Sequence, residues 1–164
     1  MKWINVSNNS SNLSYELWND EIKLVSLSIS NRTKISRIEC ATDKRLFFIE
    51  KTGFLHSKTI IKNEYGIRLG ELIGENRDAH EGMIELEGKK YAYSFNDITE
   101  AGLVIYDESK KKPLVSCHLS SPDDQATAVV KRSRSLHDTA YPSLLLAICW
   151  YLVKPAATAA LSNA

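Results

Sequence analysis

The sequence carries a run of cationic side chains at Lys131-Arg132-Ser133-Arg134, with His137 three residues further on. Guanidinium and ammonium groups this close together suit an anion, a phosphate or a lipid headgroup, held by charge-assisted hydrogen bonds. Lys131, Arg132 and Arg134 are therefore the candidate anion- or headgroup-binding residues. Alternate residues of an extended strand share a face, so Arg132 and Arg134 would lie together with Lys131 opposite. The competing reading is a solvated strand end, since short charge runs are usually surface. Lys110, Lys111 and Lys112 at a hairpin tip form a second cluster with the same two readings, an anion site or, as we favour, a charged tip that keeps the edge soluble.

Catalytic chemistry has less to stand on. His56, His80, His118 and His137 are dispersed, and none has a neighbour at metal-ligand spacing. Asp78-Ala79-His80-Glu81 has the residue types of an acid–base cluster, but it sits in a polar stretch where a solvated turn explains it equally well. No nucleophile elbow, phosphate-binding glycine loop or dinucleotide fingerprint occurs. An active site would have to be assembled from distant residues, for example around His80 or His118. We expect no catalytic residue, metal or cofactor. Tyr91, Tyr93 and Phe95 alternate along one strand face and could line a pocket, although such a face more often packs in a core.

The 164 residues are enough for one domain that buries its own core. Lys plus Arg is 21 and Asp plus Glu is 20, so bulk capture of nucleic acid, which needs many phosphate contacts, is not expected. Cys40, Cys117 and Cys149 are odd in number, far apart and without a CxxC pair. They read as reduced, buried fillers in a cytoplasmic protein. Lys2 is followed by no apolar run, so a secretory signal is not expected.

Positioning falls to strands. Val25, Leu27 and Ile29 alternate with Ser26, Ser28 and Ser30, the pattern of a half-buried strand. Residues 45–49 and 54–62 continue the pattern. Hairpins follow around Asn63-Glu64-Tyr65-Gly66, around Glu87-Gly88-Lys89 and at 107–113, where Val115, Cys117 and Leu119 should point inward. A last strand candidate spans 127–134. The total is roughly nine or ten antiparallel strands, as in a sandwich or barrel. Residues 1–20 are rich in Asn and Ser and read as a polar, partly flexible arm, which Trp3, Leu13, Tyr15 and Trp18 could pin, with the barrel domain occupying 21–164.

The exception is residues 144–153, which hold no charged residue and no glycine. Asp138 or Thr139 could cap a helix there, Pro142 suits its first turn, and Lys154-Pro155 should end or kink it. A helix apolar on every side must be buried on every side. A bilayer span needs about 20 apolar residues, so a tail anchor is the secondary reading. The favoured one is a central helix, at about residues 140–160, enclosed by the strands of a mainly β (α+β) domain.

This plan resembles the tubby C-terminal-like superfamily, in its small LURP-one-related branch. The resemblance rests on the hairpin series, on Lys112-Pro113-Leu114-Val115-Ser116 as a charged turn, proline and apolar strand, and on the threading helix at 144–153. It covers roughly residues 22 to 160. It implies a many-stranded barrel around a hydrophobic C-terminal helix, and a non-enzymatic binding or scaffold module. The implied partners are an anionic lipid or a protein, at a cytoplasmic and membrane-peripheral location. No binding residue of that family aligns onto this chain position by position, so none is carried over.

Overall fold

The computed structural model describes residues 1–8, 11–53, 58–74, 81–96, 102–119 and 128–162. Twelve antiparallel strands follow one another: β1 (Lys2–Asn8), β2 (Asn12–Asn19), β3 (Ile22–Ser30), β4 (Ile35–Cys40), β5 (Arg45–Thr52), β6 (Lys58–Asn63), β7 (Arg68–Ile73), β8 (Glu81–Leu86), β9 (Lys89–Asn96), β10 (Gly102–Tyr106), β11 (Pro113–Leu119) and β12 (Ala128–Arg132). Each pairs with the next, and β1 pairs with β12, so the sheet closes into a barrel. A short 3-10 helix (Arg134–Asp138) and α1 (Pro142–Ser162) complete the chain.

Period-two burial drives this arrangement. Val25 and Leu27, Phe47 and Ile49, Ile84 and Leu86, and Val115 and Cys117 all point inward and are almost wholly buried, as the alternation predicts. The side chain of Leu119 lies outside the described residues. Local chemistry sets the turns. Glu87 and Gly88 both have positive φ (48° and 77°), which a two-residue hairpin turn requires. Asn63 Oδ1 accepts the amides of Tyr65 (3.0 Å) and Ile67 (2.9 Å), and Gly66 takes a φ of 76°. Two interior glycines allow close approach. A Cβ on Gly70 would lie 1.7 Å from the Glu85 carbonyl oxygen, and one on Gly82 would strike the Tyr93 ring at 2.3 Å.

Residues 144–153 are all buried, in one cluster with the inward strand residues. The helix touches β3 and β4 on one side and β10 and β11 on the other, so it runs through the barrel. Its large side chains each contribute about 1.5–3 kcal/mol through burial, before entropy costs. Trp150 stacks on Trp3 of β1 (5.5 Å between centroids, planes 14° apart) and receives the edge of Tyr15 of β2 (5.4 Å).

The structure corrects the sequence reading in four places. The stretch taken as a flexible arm forms β1 and β2 and closes the barrel, because Trp3, Tyr15 and Leu17 are core residues at inward positions. The strand count is twelve, since β1, β2 and β4 were not anticipated. Neither Asp138 nor Thr139 caps α1: both end the 3-10 helix, and α1 opens at Pro142, where a missing N–H costs nothing. Pro155 does not end α1, which continues to Ser162 through an alanine-rich stretch of high helix propensity. Among the described residues, no helix is long and apolar enough to cross a membrane.

Candidate functional site

An up-and-down barrel places every turn that follows an even-numbered strand at one end. The N-terminus of α1 enters there. Ser143 and Thr42, from the β4–β5 turn, share a hydroxyl–hydroxyl hydrogen bond (3.2 Å). Tyr141 donates its hydroxyl to Glu87 Oε1 of the β8–β9 turn (2.5 Å), and Arg45 lies over both the Tyr141 and Phe47 rings (4.9 and 5.0 Å). These contacts clamp the helix in the mouth. Burial, then the bond to Glu87, pushes the Tyr141 phenol up, while Arg45 opposes the shift.

The chain from β12 to α1 crosses the same mouth. Ala128 and Val130 point inward, whereas Val129 and Lys131 face solvent on the outer surface. Arg132 has the inward parity of Val130, but it ends the strand at the rim and is exposed. The chain then leaves the strand. Ser133 donates its amide to the Leu114 carbonyl (2.9 Å), and the 3-10 helix follows, pinned by the fully buried Leu136. Arg134 is therefore on that helix, exposed and no longer in register with Arg132. Lys131 on the outer wall, Arg132 at the rim and Arg134 on the 3-10 helix are each exposed.

Of the three, Arg132 lines a cavity of nine residues at this mouth. Its volume is about 170 Å³. Leu24, Leu136 and Leu146 supply buried or half-buried apolar walls, and Arg132, Asp43 and His137 are its exposed charged or titratable groups. The Thr42–Ser143 hydroxyl pair also faces it. Neither Arg132 nor Asp43 has an ion-pair or hydrogen-bond partner among the described residues. Asp43, Thr42 and Ser143 carry no local sign in the sequence, because only strand register and the entry point of α1 bring these segments together.

A second groove, of about 450 Å³, lies across the 3-10 helix from the first. Lys89, Lys90 and Lys112 line it, balanced by Asp107, Glu108 and Asp138. The 107–112 tip is ordered by its own bonds. Asp107 Oδ1 accepts Ser109 Oγ (2.8 Å) and the amides of Lys111 and Lys112, and the Ser109 bond is the main cause that holds its carboxyl below the usual range. Lys110 pairs with Glu81 (2.6 Å), whereas Lys112 lines the second groove.

The other candidates are scattered. His118 lies on the outer face over Gly102, and lines neither cavity. His56 and His80 lie outside the described residues, as do Asp78 and Ala79. Tyr91 and Tyr93 are buried, and Tyr93 packs edge-on against Phe95 (6.0 Å), so this face belongs mainly to the core. Among the described residues, no three His, Cys, Asp or Glu groups gather as metal ligands. Cys40, Cys117 and Cys149 are buried free thiols. Comparison with family models, with curated proteins and with solved structures finds no match to this chain.

Proposed function

We propose that this chain is a non-enzymatic binding module of tubby-like architecture, allied to the small LURP-one-related proteins, that engages an anionic lipid headgroup at the barrel mouth. One observation carries the reading: α1 fills the barrel, so a ligand must bind at a mouth or on the outer wall rather than inside. The mouth where α1 enters offers Arg132, a cation without an ion-pair partner among the described residues. Lys131 and Arg134, exposed on either side of it along the chain, add attraction at longer range. The reading implies a cytoplasmic, membrane-peripheral location.

Vesicle flotation of the full chain tests it. Neutral phosphatidylcholine vesicles are compared with vesicles that also contain phosphatidylserine, at low and at physiological salt. Binding only to the anionic vesicles, weakened by salt and by Arg132→Gln, is the expected result. Absence of binding at low salt, where attraction is strongest, sinks it.

A protein partner is the second reading. It is favoured by Ile4 and Val129, exposed on the outer wall at the seam where Lys2 pairs with Val129, and by Val6 further along β1. Neighbouring exposed apolar side chains are a usual mark of an interaction surface.

A further inference from the structure

The 170 Å³ cavity at the mouth has a composition that a lipid phosphate does not explain. It is lined by one guanidinium and one carboxylate, Arg132 and Asp43. Both are exposed, and neither has an ion-pair or hydrogen-bond partner among the described residues. They face the same small space without meeting each other. A carboxylate at the site of a bare anion is a like charge that weakens binding, whereas a ligand carrying both signs satisfies both groups.

Apart from His137, the rest of the lining is apolar or hydroxylic. Leu24, Leu136 and Leu146 form a surface suited to a short hydrocarbon side chain. The Thr42 and Ser143 hydroxyls bond to each other, which uses one of their two hydrogens and leaves the second to donate. Size narrows the class further. Sites for drug-sized ligands span about 300–1,000 Å³, well above this cavity. An apolar cavity of about 150 Å³ accommodates benzene, which has six heavy atoms. The occupant is therefore small, of roughly six to nine heavy atoms by that comparison.

We infer that this cavity is a binding site for a free α-amino acid with a small apolar side chain, in the range from alanine to leucine. The ligand carboxylate pairs with Arg132 and takes the spare hydroxyl hydrogen of the Thr42–Ser143 pair. Its ammonium pairs with Asp43, and its side chain lies on the three leucines. His137, also on the lining, is a further donor or acceptor at the opening. This inference goes beyond the lipid reading and does not depend on it.

The test is a titration of the full chain, without lipid, against L-valine and L-leucine. Thermal shift and amide NMR are the readouts. Isovalerate supplies the carboxylate without the ammonium, isobutylamine the ammonium without the carboxylate, and inorganic phosphate the bare anion. Expected are a saturable rise in Tm with the amino acids and shifted amides at Thr42, Asp43, Arg132 and Ser143. Each one-charge analogue should bind at least about tenfold more weakly, as should Arg132→Gln and Asp43→Asn. Both positions are exposed, so these variants should keep the Tm of the unliganded chain. The ligand panel on the unaltered chain decides the matter even if one does not. No shift with any amino acid, or phosphate or isovalerate binding as well as valine, overturns the inference. Failure of vesicle flotation leaves it untouched, and its own failure leaves the vesicle result standing.

Discussion

The indole of Trp3, at the start of the chain, stacks on the indole of Trp150 near its end, with centroids 5.5 Å apart and planes 14° from parallel. Both side chains are wholly buried. The contact joins the strand that closes the barrel to the helix that fills it. Among the described residues, β1 meets β12 at Lys2↔Val129 and Trp3↔Ala128, supplemented by the Val130 amide on the Met1 carbonyl (3.0 Å). Trp3 thus adds an interior hold on the first strand to its ladders with β2 and β12.

Truncating that ring should be costly. Trp3→Ala is expected to lose about 3–5 kcal/mol, the usual penalty for emptying a buried tryptophan site. Urea unfolding measures it. A loss under about 1 kcal/mol would return residues 1–8 to the status of a dispensable arm.

The two interior glycines should differ. At Gly82 the obstacle is the Tyr93 ring, a side chain that can shift, so Gly82→Ala should cost about 1–3 kcal/mol. At Gly70 the obstacle is the backbone carbonyl of Glu85, which belongs to the β7–β8 ladder and has nowhere to go. Gly70→Ala should therefore be the worse of the pair by thermal unfolding. Equal Tm losses would contradict this account of the β7–β8 approach.

The clamp at the mouth is separable from the core. Tyr141→Phe keeps the ring under Arg45 and against Phe47 but removes the hydroxyl bond to Glu87. A loss of about 1 kcal/mol is expected, typical of one hydrogen bond. Tyr141→Ala, which also removes the ring, should lose clearly more. Comparable losses for the two would mean that the ring packing contributes little.

Alkaline pH should weaken the fold. Burial pushes the Cys40 thiol from its ordinary 9.0 up to about 12, raises the Cys149 thiol, and raises the Tyr91 phenol; Tyr141 is raised as well. In each case the unfolded chain releases its proton first. Stability is therefore complete below pH 9 and falls as pH rises from there through the folded-state value of Cys40, by at most about 1.4 kcal/mol per pH unit for each group. Tm measured from pH 7 to 11 should be level and then decline, and Cys40→Ala should decline less steeply. An identical slope in the variant would show that Cys40 does not titrate as its burial dictates.

The legible part of the fold was the part written in alternation. Val25 and Leu27, Ile84 and Leu86, and Val115 and Cys117 face inward as their spacing requires, and the all-apolar run at 144–153 had to be enclosed. What escaped was carried by few residues in polar company. β1 and β2 hide Trp3, Tyr15 and Leu17 among Asn and Ser, whose composition signals a flexible segment more strongly than the spacing signals a strand. The basic run was legible as charge but not as geometry, because the turn at Ser133 separates Arg132 from Arg134. Asp43 and Ser143 carry no local mark at all. Their shared cavity exists only once the barrel has closed and α1 has entered it.

Amide hydrogen exchange of residues 144–153 is the sharpest check on the enclosed helix. If α1 is the enclosed core of a closed barrel, these amides exchange only when the whole domain unfolds. Their exchange free energies should then match one another, those of inward strand residues such as Leu27 and Ile105, and the global unfolding free energy. Exchange of the helix at loop-like rates, while those strands stay protected, would show that it does not fill the barrel.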